Sequence, residues 1–361
     1  MVDDPSLMTR PESPRPPGVR PPGLRPLVSV VITSHDGLGL LLPCLESLGE
    51  MNYSRAEIVL VDNASVDGTA GRVAADFPEV RLVGLDANMG FAGGNNAGIA
   101  QAVGNYIFLL NNDTTIAVDA VDRLVEFMEL HPRAGLVGPL TVRHDDPATV
   151  DNVGLALYPD GTVRGAGRGE PAGRYVEPFE VFCPSGCACF CRREVLEEVG
   201  LLDEDFHLML EDADLGWRVR LAGWECYCVP SAVVRHKGSS TIGLYSARKA
   251  YYVERNRIWL AVKYFPPKIL WRSPFYSMAR YGYQAFAIFR GEGASAGSCK
   301  AHGPWLLLWT LVRAYSAAAL GTSLMWKRRR RIAAGRRVDD SEVLEWFDRY
   351  GLSARTLALT D

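Results

Sequence analysis

At 361 residues the chain is long enough for one large α/β core and an appendage, because single cores stop growing near roughly 250–300 residues. Hydrophobic residues at 48% and charged residues at 22% exclude wholesale disorder. The net charge of -3 conceals basic ends around an acid-rich middle, which excludes a nucleic-acid-binding centre, and eight cysteines without a secretory signal point to a reducing, cytoplasmic setting.

Residues 1–26 carry repeated prolines and no apolar stretch of roughly 7–15 residues, so they are expected to form a disordered leader and not a signal peptide. From Leu27 the pattern changes to short β-rich runs separated by helical periods, the sign of βαβ units around a mostly parallel sheet. The expected strands are 27–34, 57–63, 80–86 and 106–113. Ligands of such sheets gather at the carboxyl ends of strands, and His35, Asp62, Asn88 and Asp113 all follow those ends.

VDNASVDGT (61–69) places Asp62 at a strand end, followed by Ser65 and a turn at Asp67-Gly68. Such a carboxylate can accept hydrogen bonds from a pyrimidine or a ribose; the plainer reading is that Asp62 and Asp67 cap turns and a helix start. ANMGFAGGNNAGIA (87–100) combines Gly90 and Gly94 with Asn88 and Asn95. Glycines let a backbone approach a diphosphate, and amides bind its oxygens; the plainer reading is a glycine-rich entry to a helix. LLNNDTTI (109–116) ends a strand with Asn111, Asn112 and Asp113. An oxygen ligand there suits Mg²⁺ or Mn²⁺, which bind through few protein groups plus phosphate oxygens. Cys187, Cys189 and Cys191 share one strand face by their spacing, and they read as buried free thiols and not as a zinc site, for which Cys183 and Cys187 could supply only one of the paired spacings.

The succession VVITSH, VDNASVDGT, NMGFAGGN and NND resembles the family 2 glycosyltransferases of GT-A fold, in particular their rhamnosyltransferase-like branch. SGCACFCRREVLEEVGLLDEDFHLMLEDADLGWRVRLAGW extends the resemblance through the family's acceptor-side segment. The resemblance implies an α/β GT-A catalytic domain over 27–245, with a nucleotide-binding half at 27–134 and an acceptor half at 135–245, followed by a helical, basic region at 246–361. It implies an inverting transfer from a nucleotide-sugar, dTDP-rhamnose first or a UDP-sugar, to a glycan or lipid-linked acceptor in cell-envelope polysaccharide synthesis. Thr33, His35, Asp62, Ser65, Asn88, Gly90, Gly94, Asn95, Asn112 and Asp113 are then donor-binding candidates. Asp113 inherits a divalent-metal role from the family's Asp-x-Asp motif, of which only the final carboxylate is present, and His236 in VVRHKGSS a metal or diphosphate contact. Asp212 is the implied general base, Glu211 its rival, and Asp214 a partner for Arg218. A silent carbohydrate-binding protein on the same fold and a nucleotide-cofactor oxidoreductase remain the alternatives.

The tail at 304–326 approaches membrane-spanning length but is interrupted by Arg313, so a helix lying on the surface is expected. Trp305, Trp309 and Trp326 suit a membrane interface, and Lys327 to Arg331, with Arg336 and Arg337, suit anionic headgroups. A hairpin with 268–290 or a dimer contact is the competing reading. The expected location is peripheral, at the inner face of the cell membrane.

Overall fold

Val28–Ser34 forms a strand (β1) buried along nearly its whole length, with Val28, Val30 and Ile32 facing one layer and Val31 the other. A strand covered on both faces belongs in a parallel sheet flanked by helices. In the computed structural model, which describes residues 24–238, 246–291 and 293–359, β1 lies beside Ala56–Asp62 (β2), Arg81–Gly84 (β3) and Tyr106–Asn111 (β4), all parallel, in the order β3-β2-β1-β4. Leu38–Gly49 (α1), Thr69–Asp76 (α2) and Gly90–Gln101 (α3) connect these strands in turn. The α3 helix packs very close to β1, since a Cβ at Gly94 would lie 2.4 Å from Thr33 Cγ2 and one at Gly98 2.4 Å from Val31 Cγ1.

Beyond β4 the chain forms Thr114–Ile116 (β5), Ala120–Leu130 (α4), Ala134–Arg143 (β6), Val150–Asn152 (β7) and the hairpin Leu155–Leu157 and Val163–Gly165 (β8 and β9). Phe179–Glu180 (β10), Ala188–Arg192 (β11), Arg193–Val199 (α5), Glu211–Leu221 (α6) and Glu225–His236 (β12) follow. The sheet reads β10-β12-β6-β11-β4-β1-β2-β3, in which β10 and β11 alone run against the other strands of that path. The register of β12 is what assembles the site: His236 pairs with Thr114 of β5 on one side and with Arg143 of β6 on the other.

Ala247–Tyr264 (α7), Pro267–Arg290 (α8), Gly293–Ala334 (α9), Asp340–Arg349 (α10) and Ala354–Leu359 (α11) complete the described chain. The α9 helix is broken at Gly303, whose φ of +74° precedes Pro304. Trp217 of α6 stacks on Tyr264 of α7, so α7 shares the core of the sheet. A buried ionic network ties this helical region down: Arg257 donates to Glu254 at 2.6 Å, and Arg280 donates to Asp160 at 2.7 Å and to Glu254 at 3.0 Å.

Of the expected leader, residues 1–23 lie outside the described residues. Its last residues are not loose, because Arg25 pairs with Asp122 at 2.5 Å and the Pro26 carbonyl accepts the Tyr53 hydroxyl at 2.5 Å. The tail also departs from expectation. Residues 304–326 are helical but packed along one face, where Ala314, Ala318 and Met325 are buried and Gly321 meets the Trp259 ring. Half of the basic run turns inward: Arg328 pairs with Asp203 and Asp205, and Arg329 donates to the carbonyls of Val262 and Phe265 at the end of α7. Arg336 and Arg337 pair with Asp340 and Glu198. No helix among the described residues is long and apolar enough to cross a membrane.

Candidate active site

The carboxyl ends of β1, β2, β4 and β12 open onto one cavity of about 520 Å³. Among the expected site residues, Thr33, His35, Asn88, Gly90, Asn112, Asp113, Glu211, Asp212 and His236 line it. Asp62, Ser65, Gly94 and Asn95 do not reach its wall. Asp62 is buried and accepts the Ser65 backbone N–H at 3.0 Å, the Ser65 hydroxyl accepts the Asp36 N–H at 3.1 Å, and Asn95 donates to the Phe91 carbonyl at 2.9 Å. Gly94 is required instead for the approach of α3 to Thr33.

At the β1–β2 end an asparagine outside the expected set organises the wall. Asn63 donates to the Gly90 carbonyl at 3.0 Å and to Asn88 Oδ1 at 3.3 Å, and accepts the Met89 N–H at 2.8 Å. The Asn63 carbonyl fixes His35 through a 2.9 Å bond to Nδ1. Thr33 lines the cavity, and its hydroxyl is buried with no hydrogen-bond partner among the described residues. Gly90 has a φ of +72°, and a Cβ there would lie 2.4 Å from the His207 carbonyl. This glycine therefore serves the contact between α3 and the loop that carries the acidic motif.

In the middle, Asp113 Oδ1 is buried without a hydrogen bond and lies 3.3 Å from His236 Nε2. His236 Nδ1 is held by Asp151 Oδ2 at 2.9 Å, an acidic partner that sequence reasoning missed. Burial raises the Asp151 pKa, but the hydrogen bond and charge of His236 and the charge of Arg168 outweigh it and hold the carboxyl below its usual value. For His236 burial disfavours the charged ring, yet Cys187, Asp113 and Asp151 together push it upward. Among the described residues no three His, Cys, Asp or Glu side chains form a complete metal cage. With Nδ1 fixed by Asp151, Nε2 can ligate only in the neutral ring, so a divalent ion here would take the place of the Nε2 proton that faces the Asp113 oxygen, with phosphate oxygens completing its shell.

On the third side stand Glu211 and Asp212, at the start of α6. The chain reaches them through His207, Met209 and Leu210, non-glycine residues with φ of 59°, 67° and 69°. Such backbone persists only where its surroundings hold it. Asn256 of α7 supplies that hold, since its buried amide donates to the carbonyls of Phe206, Leu208 and Met209 at 3.1, 2.9 and 2.7 Å. The two carboxyls differ in environment. Asp212 accepts backbone N–H bonds from Gly186 at 2.8 Å and Ala213 at 2.7 Å, bonds that favour its ionised form, although burial still raises it. Glu211 Oε2 has no partner, and burial followed by the charge of Asp212 pushes its pKa up to about 8. With its pKa near 8, Glu211 is the protonated member of the pair at neutral pH, while the two backbone N–H bonds to Asp212 favour that residue's charged form. Asp214 is fully buried and accepts from Arg218 at 3.0 Å, Tyr264 at 2.6 Å and Lys263, so it ties α6 to α7.

Cys187, Cys189 and Cys191 are free and buried, as expected, with Cys187 at the cavity wall beside His236.

A mostly parallel α/β sheet whose strand ends gather amides, an unpartnered aspartate oxygen and a buried acidic pair in one cavity has the architecture of a GT-A glycosyltransferase. The glycosyl transferase family 2 profile matches residues 29–200. The chain is 30% identical over 257 residues to N-acetylglucosaminyl-diphospho-decaprenol L-rhamnosyltransferase of Mycobacterium tuberculosis (strain ATCC 25618 / H37Rv), a match covering 64% of this chain and 81% of the relative. Among solved structures, the mannosyltransferase PcManGT from Pyrobaculum calidifontis, in complex with GDP-Man and Mn²⁺, superposes with a TM-score of 0.51 at 22% identity over 86% of this chain and 90% of that one. GalNAc-T7 with UDP, GalNAc and Mn²⁺ does so with a TM-score of 0.51 at 18% identity over 66% and 50%. At those identities the structural likeness carries the fold. The chain belongs to glycosyl transferase family 2 and is a glycosyltransferase, which sets the oxidoreductase alternative aside.

Proposed function

We propose that the chain transfers rhamnose, with inversion, from a nucleoside-diphosphate sugar to a glycan or lipid-linked acceptor during synthesis of a cell-envelope polysaccharide. The observation that carries this reading is the meeting, in one cavity, of Asp212 held by two backbone N–H groups, the buried Glu211 beside it and the unpartnered Asp113 oxygen. The relative from M. tuberculosis, an L-rhamnosyltransferase by name, supports the choice of sugar. dTDP-rhamnose is the first donor by this reading, and a UDP-hexose or UDP-galactofuranose the next.

Thr33, His35, Asn63 and Asn88 bind the nucleoside end through hydroxyl, imidazole and amide groups, with Asp62 and Ser65 shaping the turn behind them. The acceptor hydroxyl oxygen attacks the anomeric carbon as Asp212 takes its proton, and the bond to the donor diphosphate breaks with its electron pair leaving on the phosphate oxygen. Glu211, protonated, adds no second negative charge beside the base. Asp113 and His236 would hold the Mg²⁺ or Mn²⁺ ion, which when bound offsets the charge developing on the departing diphosphate.

The protein acts at the inner face of the cell membrane, as a peripheral protein of the cytoplasm. This part of the reading is supported by the outward faces of α8 and α9, where Trp271, Phe275 and Phe289 and then Trp305, Trp309 and Leu320 are exposed. Aromatic side chains of this kind favour the interface between water and lipid.

The test of donor and chemistry is a thermal-shift panel of nucleotide sugars with Mn²⁺, in which a ligand at about 100 times its Kd stabilises by about 2.7 kcal/mol. Transfer by wild type and by Asp212→Asn is then compared. Asp212→Asn is expected to retain donor binding and to lose on the order of 10²–10⁴-fold in turnover, because the amide cannot take the proton. Full turnover in that variant would refute the assignment of the base.

A further inference from the structure

One wall of the cavity is cationic and adjoins the groups assigned to donor and base only at its edges, through Arg168 beside Asp151 and Arg248 beside His207. Between the β8–β9 hairpin and the start of α7 it is lined by Arg164, Arg168, Arg248 and Lys249. Arg168 lies 3.7 Å from Asp151, and the Arg248 guanidinium lies 3.4 Å from His207 Nε2. Lys249 is drawn inward enough that burial, and then the charges of Arg168 and Arg164, lower its pKa. Cations brought together at the mouth of a partly dry cavity repel one another and create a strong field for a polyanion.

The sheet order separates this wall from the nucleoside end. Thr33, His35, Asn63 and Asn88 sit beyond β1, β2 and β3, whereas the hairpin follows β7, which pairs with β6 on the far side of β4 and β11. The hairpin's turn rests on α8: the Tyr158 hydroxyl donates to the Tyr276 carbonyl at 3.2 Å, and Arg280 donates to Asp160 at 2.7 Å. The opposite face of α8 exposes Trp271, Phe275, Met278 and Phe289 at helical spacing. The hairpin that carries part of the cationic wall thus packs on a helix whose far face is apolar, which suits a ligand with a polyanionic head and an apolar chain long enough to pass around α8.

We propose that Arg164, Arg168, Arg248 and Lys249 form the binding site for the diphosphate of a lipid-linked acceptor, with the lipid chain running toward the exposed face of α8. The proposal rests on the lipid-linked acceptor reading given above. It assigns the donor diphosphate to Asp113 and His236 and the acceptor diphosphate to the cationic wall, so that the sugar hydroxyl of the acceptor is presented to Asp212 between them.

The test is calorimetric titration of the intact chain with farnesyl diphosphate, farnesyl monophosphate and, separately, dTDP and UDP with Mn²⁺. Wild type is expected to bind the diphosphate lipid at least about tenfold more tightly than the monophosphate, since two phosphates engage more of the wall. The double variant Arg164→Gln/Lys249→Gln should lose at least about tenfold for farnesyl diphosphate and change nucleoside-diphosphate affinity by less than about twofold. Arg248→Gln, at an exposed position, should show the same direction and serves if the double variant does not fold. An equal loss for the nucleoside diphosphate would assign the wall to the donor and overturn the proposal. A wild type that binds dTDP or UDP with Mn²⁺ but no farnesyl diphosphate would overturn it while leaving the glycosyl-transfer reading intact. A wild type that binds neither would overturn both.

Discussion

Replacing Glu211 by glutamine tests the feature on which the choice of base depends, namely that the two adjacent carboxyls carry different charges. Glu211 is fully buried, its Oε2 has no hydrogen-bond partner, and its pKa rises from 4.5 to about 8. Between those values the folded protein keeps a proton that the unfolded chain releases, so folding stability falls as pH rises, by up to about 1.4 kcal/mol per unit. Across the whole window the loss is bounded at about 5 kcal/mol, and between pH 5.5 and 7.5 at about 3 kcal/mol. The glutamine side chain cannot titrate, and it reproduces the neutral carboxyl in size and polarity. Urea unfolding of wild type and Glu211→Gln at pH 5.5 and 7.5 isolates this term, because the other titrating groups are common to both. The variant should lose less stability than wild type over that interval, by on the order of 1–3 kcal/mol. If both proteins show the same pH dependence, Glu211 is ionised in the folded state, the distinction between the two carboxyls disappears, and Asp212 loses its claim as sole base.

Asp113→Ala is expected to abolish any Mn²⁺-dependent tightening of nucleoside-diphosphate binding, read by calorimetry with and without the metal; unchanged metal dependence would place the ion elsewhere. Asn256→Ala removes the amide that holds the backbone leading into α6, and a buried carbonyl left unsatisfied costs about 1–3 kcal/mol. The expected result is a fall in kcat of at least about tenfold with donor affinity nearly unchanged, because the strained segment relaxes and carries Asp212 with it; equal loss of donor binding would indicate general misfolding. Sedimentation with anionic liposomes should deplete the intact chain and spare a variant in which Trp271, Phe275, Trp305 and Trp309 are replaced by Ser; binding unaffected by those changes and by lipid charge would remove the case for a membrane-facing surface.

The parallel strands of residues 27–134 were legible because they are short apolar runs buried on both faces and ending in polar residues, so that the position of each strand end follows from the point where the run stops. Asp113 and His236 were legible as separate strand-end residues, and the pairing of His236 with Thr114 explains why they meet. Asp151 was not legible. It lies in a three-residue strand with no periodic signal, and its contact with His236 spans 85 residues. Gly94 and Asn95 belong to a motif whose glycines read equally well as a phosphate approach or as helix packing, and sequence alone does not distinguish a Cβ excluded by a ligand from one excluded by Thr33. The basic run after Trp326 read as a partner for anionic headgroups, because the carboxylates and carbonyls that engage Arg328 and Arg329 come from segments more than 60 residues away.

The same reasoning explains why α7 matters more than its sequence suggests. ERNR at 254–257 has the appearance of a solvated helical face, since charged and amide groups in succession normally stay in water. Glu254, Asn256 and Arg257 are nevertheless buried, and a buried charge or amide persists only with partners that satisfy it. The partners lie in two directions. Glu254 and Arg257 face Arg280, Asp160 and Tyr315, so one side of α7 anchors the hairpin and the outer helices. Asn256 and Lys263 face the Phe206–Met209 carbonyls, Asp203 and Asp214, so the other side fixes the entry to α6. A change in how α8 and α9 are seated would therefore reach Glu211 and Asp212 through a single rigid helix, without passing through the nucleotide-binding half. On the proposed reading, in which α8 and α9 face a membrane and Asp212 is the base, docking that stabilises those helices would also stabilise the strained loop before Asp212. Activity should accordingly depend on lipid even with a water-soluble acceptor, and that dependence should vanish in Asn256→Ala, measured as the ratio of turnover with and without anionic vesicles. A lipid effect that survives in Asn256→Ala would show that the membrane acts on acceptor delivery and not through α7.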